Sequence, residues 1–181
     1  EYTTLSNFNP IITRVITQTT KISPGEPLYT VSDWRPTTWD LINSVRTPEG
    51  RRQRLVVVPA QYRATDTQTG VERLFKTLQY TIYYSNTTDT IPPSIWSIAT
   101  SESPDKANLN IQVETTDFSN VVRVVVVYTP NDNIWHKVEL QRTVNNALWG
   151  GQLPNQPGLE YFVQVVDGSG NVAVQDDKGR Y

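Results

Sequence analysis

No stretch of this chain repeats apolar residues at the 3.6-residue period of a helix over a dozen positions. Strand formers dominate instead, and Val and Thr recur throughout. Clusters of Pro, Gly, Asn and Asp cut them at short intervals. That punctuation predicts an all-β protein built from many short strands. With 181 residues and 37% hydrophobic residues, the chain can bury one larger core or two modest ones.

The sharpest break is Ser85-Asn86-Thr87-Thr88-Asp89-Thr90-Ile91-Pro92-Pro93. It is small and polar, and its Pro pair forces extended backbone that resists pairing in a sheet. The charge changes sign across it. Residues 1–90 carry ten Lys and Arg against eight Asp and Glu, a balance of +2. Residues 91–181 carry six against ten, a balance of −4, and the chain totals −2. The expectation is tandem β-domains, 1–90 and 91–181, with an opposite-sign contact between them allowed.

The second half reads strand by strand. An opening strand falls near 95–99. Leu109, Ile111 and Val113 alternate with polar residues, as on a half-buried strand. Residues 121–128 are almost wholly apolar, which predicts a central strand buried on both faces. Ile134, His136, Val138 and Leu140 alternate with Trp135, Lys137, Glu139 and Gln141. Further strands are expected at 147–153, 160–166 and 171–175. Seven short strands in about 90 residues are the mark of an Ig-like or fibronectin-type sandwich. Tyr161 opens the penultimate strand, where a tyrosine corner would sit.

The first half is less regular. Strands are expected at 11–19, 28–31, 54–58 and 72–85, and a loop at 33–48. The polar turn 65–70 makes a hairpin of the last two strands.

Composition closes several functions. The chain has no Cys, so it has no disulfide, thiol nucleophile, Cys-based zinc site or iron–sulfur cluster. It has one His, so a His-rich metal site is out. Its sequence pI near 5.4 argues against a nucleic-acid partner. No apolar run approaches a membrane span, so no membrane insertion is expected within the chain. It starts at Glu1 and contains no Met, so we expect a piece of a longer precursor.

Two stretches resemble known families. Arg54-Leu55-Val56-Val57-Val58-Pro59-Ala60-Gln61-Tyr62, Thr69-Gly70, and Leu74-Phe75 through Tyr80-Thr81-Ile82-Tyr83-Tyr84 resemble a hairpin in the propeptide-like regions of gingipain-type bacterial cysteine peptidases. Tyr128, Trp135, Val138-Glu139-Leu140, Leu153-Pro154, Gly158, residues 161–167 and Gly170-Asn171-Val172-Ala173 look like Ig-like modules appended to secreted bacterial hydrolases and surface proteins. In the peptidases a catalytic domain separates the two regions; here they abut. The family's Cys–His pair has no counterpart. The resemblance implies a non-catalytic accessory segment of a larger secreted or cell-surface protein. Its partners would be the rest of the parent chain, a surface protein or a polysaccharide.

Candidate sites are few. His136 is the only side chain expected to titrate near neutrality, but its strand face is apolar and no Gly-x-Ser-x-Gly elbow accompanies it. A half-buried structural His is expected, and no catalytic residue. Asp176-Asp177 are adjacent, so a strand would send them to opposite faces. Asp167, Asn171, Asp176 and Asp177 offer oxygens to calcium, as does Asp132 with Asn131 and Asn133. Their spacing fits no EF-hand, and Asp167-Gly168-Ser169-Gly170-Asn171 is also what a tight turn needs. Of the five Trp, Trp135 and Trp149 are the candidates for stacking on sugar rings, the basis of an alternative carbohydrate-binding reading. Trp34 and Trp39 would instead cover a sheet end or the domain junction. Arg51-Arg52-Gln53-Arg54 is a local basic patch, either a solvated loop or a docking or processing site. Asn86-Thr87-Thr88 fits a glycosylation sequon, which would matter only in a eukaryotic secretory host.

Overall fold

Four consecutive valines, Val124 to Val127, have no exposed surface at all. Successive strand residues point to opposite faces, so this strand is covered on both sides. Each buried valine side chain stabilises the fold by about 1.5–3 kcal/mol relative to exposure. The rest of the fold is the account of what covers it.

The computed structural model describes residues 7–22, 40–66, 69–85, 87–130 and 134–175. Every regular element among them is a strand. In chain order these are β1 (Asn7–Ile22), β2 (Asp40–Thr47), β3 (Gly50–Val57), β4 (Ala60–Ala64), β5 (Gly70–Ser85), β6 (Ser94–Glu102), β7 (Asn108–Thr116), β8 (Val121–Thr129), β9 (Ile134–Glu139), β10 (Gln141–Arg142), β11 (Leu148–Pro154), β12 (Glu160–Asp167) and β13 (Val172–Gln175). Their pairings are all antiparallel. They form a seven-stranded sheet ordered β13-β12-β8-β9-β1-β5-β4, a four-stranded sheet ordered β10-β11-β7-β6, and a separate β2-β3 ribbon.

One face of the seven-stranded sheet meets the four-stranded sheet. Val121, Val124, Val126, Val163 and Val165 share a cluster there with Ile111, Val113, Trp149 and Leu153. On the other face, Val125, Val127, Trp135, Phe162 and Val166 form a second cluster, and Phe75, Leu78 and Tyr83 of β5 pack onto it. The long strands from the first half therefore complete the core of the second. β1 joins β9 through Val15↔Trp135 and Ile16↔Ile134. The Arg73 guanidinium donates to Glu160 at 2.7 Å, tying β5 to β12. Arg123 Nε donates to Glu139 at 2.9 Å, and Nη1 donates to the Tyr83 hydroxyl at 2.7 Å. Partial burial is outweighed there by the ion pair, which holds Arg123 above its ordinary pKa and Glu139 below the usual carboxylate range.

The chain changes sheets at Leu140. β9 lies in the seven-stranded sheet and β10 in the four-stranded one. The buried Leu140 amide still donates to the Val124 carbonyl at 2.9 Å. A Cβ at Gly151 would lie 2.6 Å from Leu140 Cδ2, so Gly151 is what leaves room for the crossing.

Several sequence expectations change. The long hairpin closes through residues 65–70, but the strand paired with β5 across that turn is β4, not 54–58. Pro59 has no amide to continue a ladder, and its carbonyl accepts from Phe75 N at 2.8 Å. Residues 54–57 belong to β3 and pair with β2, which occupies 40–47 where a loop was expected. The expected strand at 28–31, together with Trp34 and Trp39, lies outside the described residues. β9 is covered on both faces in part: Val138 and Leu140 keep the expected inward face, whereas Trp135 and His136 exchange the burial expected of them. Trp135 is buried and His136 is exposed beside the Tyr128 ring, 5.5 Å between centroids. The reason is that β5 and β12 cover the Trp135 face, a surface that the local pattern could not announce.

Candidate functional site

The richest concentration of functional groups is at the turn after β12. Asp167 ends that strand at a register shift against β8. Its Oδ1 accepts from the Ser169 and Asn171 amides, both at 2.8 Å, and its Oδ2 accepts from Asn171 Nδ2 at 2.8 Å. Gly170, at φ 82°, supplies the left-handed residue that closes the turn. Gly168 lies against the β7–β8 loop and donates to the Asn120 carbonyl at 2.7 Å. A Cβ there would sit 2.4 Å from the Ser119 carbonyl oxygen. The turn and the loop therefore approach at a distance that only glycine allows.

That approach brings in two further carboxylates. Asp117 Oδ1 accepts from the Ser119 amide and hydroxyl, both at 2.7 Å, and so shapes the β7–β8 loop. Asp89 lies in the segment between β5 and β6. Its Oδ1 accepts from the Ile91 amide at 3.1 Å, and its carbonyl accepts from Asn171 Nδ2 at 3.2 Å. Carboxylate oxygens of Asp89, Asp117 and Asp167 lie within 4.8 Å of one another, and Asp167 is 1% exposed.

Two kinds of chemistry are open to such an arrangement. Each carboxylate receives hydrogen bonds from nearby backbone or side chains, which is turn stabilisation. Together the three also offer hard oxygens to a calcium ion, which takes six to eight and would draw the rest from carbonyls and water. Of the sequence candidates, the structure brings Asp167 and Asn171 together. Asp176 and Asp177 lie outside the described residues, as do Asn131, Asp132 and Asn133. Asp89 and Asp117 were missed by sequence reasoning. Each sits beside turn-forming residues, but nothing local says that three separate turns converge.

The tryptophans are placed differently from the sugar-stacking expectation. Trp135 is 3% exposed and packs on Phe162 at 5.5 Å between centroids, with the Arg73 guanidinium 5.5 Å from its ring. Trp149 is 6% exposed and lies under the Arg142 guanidinium at 4.8 Å. Neither offers the open ring face that stacking on a sugar requires. Trp96 does, at 67% exposure, with its Nε1 donating to the Thr116 hydroxyl at 2.8 Å. Phe118, two residues further on, is fully exposed. Asp117 of the acidic cluster lies between Thr116 and Phe118 in the chain. Trp96 was legible in principle. Ile95 and Ile98 both pack inward although they are three apart, which requires a bulge, and the register does shift between Ile95 and Ser97.

No helix among the described residues is long and apolar enough to cross a membrane. Comparison with protein-family models, with curated proteins and with solved structures finds no match.

Proposed function

We propose that the chain is a non-catalytic accessory or structural module of a larger secreted or cell-surface protein, with residues 91–181 forming an Ig-like sandwich. The observation that carries this reading is the strand order. β6-β7-β11-β10 faces β13-β12-β8-β9 across one apolar cluster. With β6 taken as the first strand, this order resembles A-B-E-D and G-F-C-C′ of that architecture, which supports the reading, while β1, β5 and β4 extend the second sheet beyond β9. The Arg73–Glu160 ion pair and the apolar contacts of β5 on the second cluster tie the first half to the second, as a spacer would need. The peptidase resemblance of residues 54–84 fits the same role, as a segment that covers or supports a catalytic neighbour. The test is to read the parent gene outward on both sides. Further β-modules or a catalytic domain in the same reading frame support the proposal. A complete protein consisting of this chain, with turnover on a hydrolase panel that His136→Ala abolishes, overturns it.

A second reading, carbohydrate binding, is favoured by the exposed Trp96 ring. Its test is a fluorescence titration with neutral polysaccharides. A spectral change that is absent in Trp96→Ala supports it, and an unchanged spectrum across the panel removes it.

A further inference from the structure

We infer that the outer face of β6 and β7 is a ledge for an extended, uncharged polysaccharide, with Trp96 at one end. The inference rests on the carbohydrate-binding reading above and gives it a place and a substrate class. On β6, Ser97, Ala99 and Ser101 are all exposed. The register sets them opposite Glu114, Gln112 and Asn110 of β7. Residues opposite one another in an antiparallel pair share a face. Ile111 and Val113, which alternate with the β7 members, are buried in the core, so these six side chains lie on the solvent side. The three on β6 are short and the three on β7 are long. The surface therefore steps down from β7 to β6, and the amides and carboxylate of β7 line the step.

Trp96 marks one end of the step. The register shifts between Ile95 and Ser97, so Trp96 is the extra residue of a bulge. Its Nε1 donates to the Thr116 hydroxyl at 2.8 Å, which holds the ring at the Thr116 end of the β7 row while 67% of the residue stays exposed. At the other end, Gln152 Nε2 donates to Asn110 Oδ1 at 2.9 Å and orients that amide. From Thr116 to Asn110, three two-residue steps cover about 20 Å, room for about four sugar rings in line.

The chemistry of the ledge selects the occupant. A sugar ring offers a C–H face that stacks on an indole and a rim of hydroxyls that both donate and accept. Side-chain amides also do both, and Gln112 and Asn110 present them two residues apart. None of the six side chains is cationic and Glu114 is the one acid among them, so an acidic polymer gains no partner here. A peptide strand added to the β6 edge needs an unbroken ladder, which the Trp96 bulge interrupts.

The experiment is calorimetric titration of the full chain with oligosaccharides of two to six sugars from cellulose, xylan, mannan and laminarin, and with polygalacturonate. At least one neutral series is expected to bind, with affinity rising up to about four sugars and unchanged by salt. Ala99→Arg fills the step without removing a contact and is expected to weaken binding at least about tenfold. Gln112→Ala is expected to weaken it about three- to tenfold, the scale of a lost hydrogen bond. Both positions are exposed, so an unchanged melting temperature shows that the fold is intact. Trp96→Ala is expected to abolish binding however the chain lies, and so tests the carbohydrate reading itself. A parent that binds no neutral series overturns reading and inference together. Binding that is lost in Trp96→Ala but kept in Ala99→Arg or Gln112→Ala overturns the inference alone. Tighter binding of polygalacturonate overturns it too, as does a concentration-dependent dimer in sedimentation velocity that excludes the sugars.

Discussion

Arg73 offers the sharpest test of how the two halves are joined. Its side chain is 7% exposed, its partner Glu160 is 28% exposed, and they meet at 2.7 Å. Burial pulls the Arg73 pKa down and the Glu160 charge pulls it back, so the guanidinium stays charged inside the fold. Removing one partner of a buried ion pair costs about 3–5 kcal/mol, because the other charge is left in a poor environment. Glu160 retains some contact with water, which places Arg73→Ala near the lower end, at about 3 kcal/mol. Arg73→Met refills the stem against Trp135 and is expected to lose less, about 1–2 kcal/mol. Adding Glu160→Gln to Arg73→Met removes the stranded charge and is expected to recover most of that loss. Urea unfolding followed by Trp fluorescence reads all of these, since Trp135 lies against the guanidinium. The coupling energy comes from the double-mutant cycle. A cost for Arg73→Ala below about 0.5 kcal/mol, the value of an exposed pair, would refute the reasoning.

Four further outcomes are expected. The Gln164 side-chain oxygen is buried without a hydrogen-bond partner, so Gln164→Met is expected to raise stability by about 1 kcal/mol, and a lower urea midpoint would count against it. Gly168→Ala drives a methyl group into the Ser119 carbonyl and is expected to cost about 2 kcal/mol or more, read as a fall in melting temperature. Glu139 has a folded pKa held below its unfolded one by Arg123, so its contribution is complete above about pH 4.3 and is lost as pH falls through the depressed value. Glu139→Gln is therefore expected to flatten the stability curve below pH 4.3, by well under 1 kcal/mol given its 39% exposure, and an unchanged acid limb would remove that assignment. Asp117→Asn relieves repulsion among three carboxylates and is expected to gain about 0.5 kcal/mol in EDTA, whereas a loss there would show that hydrogen bonding by the charged form dominates.

What could be read locally was read from pattern. The Val121–Thr129 strand declared itself because four successive valines suit no half-exposed position. The turn at Asp167 declared itself because Gly168 and Gly170 bracket it. Trp135 was misplaced because the strand that hides it, β5, lies more than fifty residues away in sequence. The β2 strand was missed because residues 40–47 alternate weakly and pair only within their own ribbon. Two of the three members of the acidic cluster were missed for a related reason. Asp89 and Asp117 look like ordinary turn residues until Gly168 lets two loops touch.

The pairing of β1 with β9 also sets an order of events during synthesis. Ile16 meets Ile134, so the first long strand cannot complete its place until the chain has grown by 118 residues. β1 and β5 can pair early, but Phe75 and Leu78 must wait for Phe162 before that face is covered. Such long-range closure slows folding and leaves an apolar ribbon open to other chains in the meantime. The emerging chain is therefore most exposed to aggregation after β5 has formed and before β12 arrives, the interval in which a chaperone would be of most use.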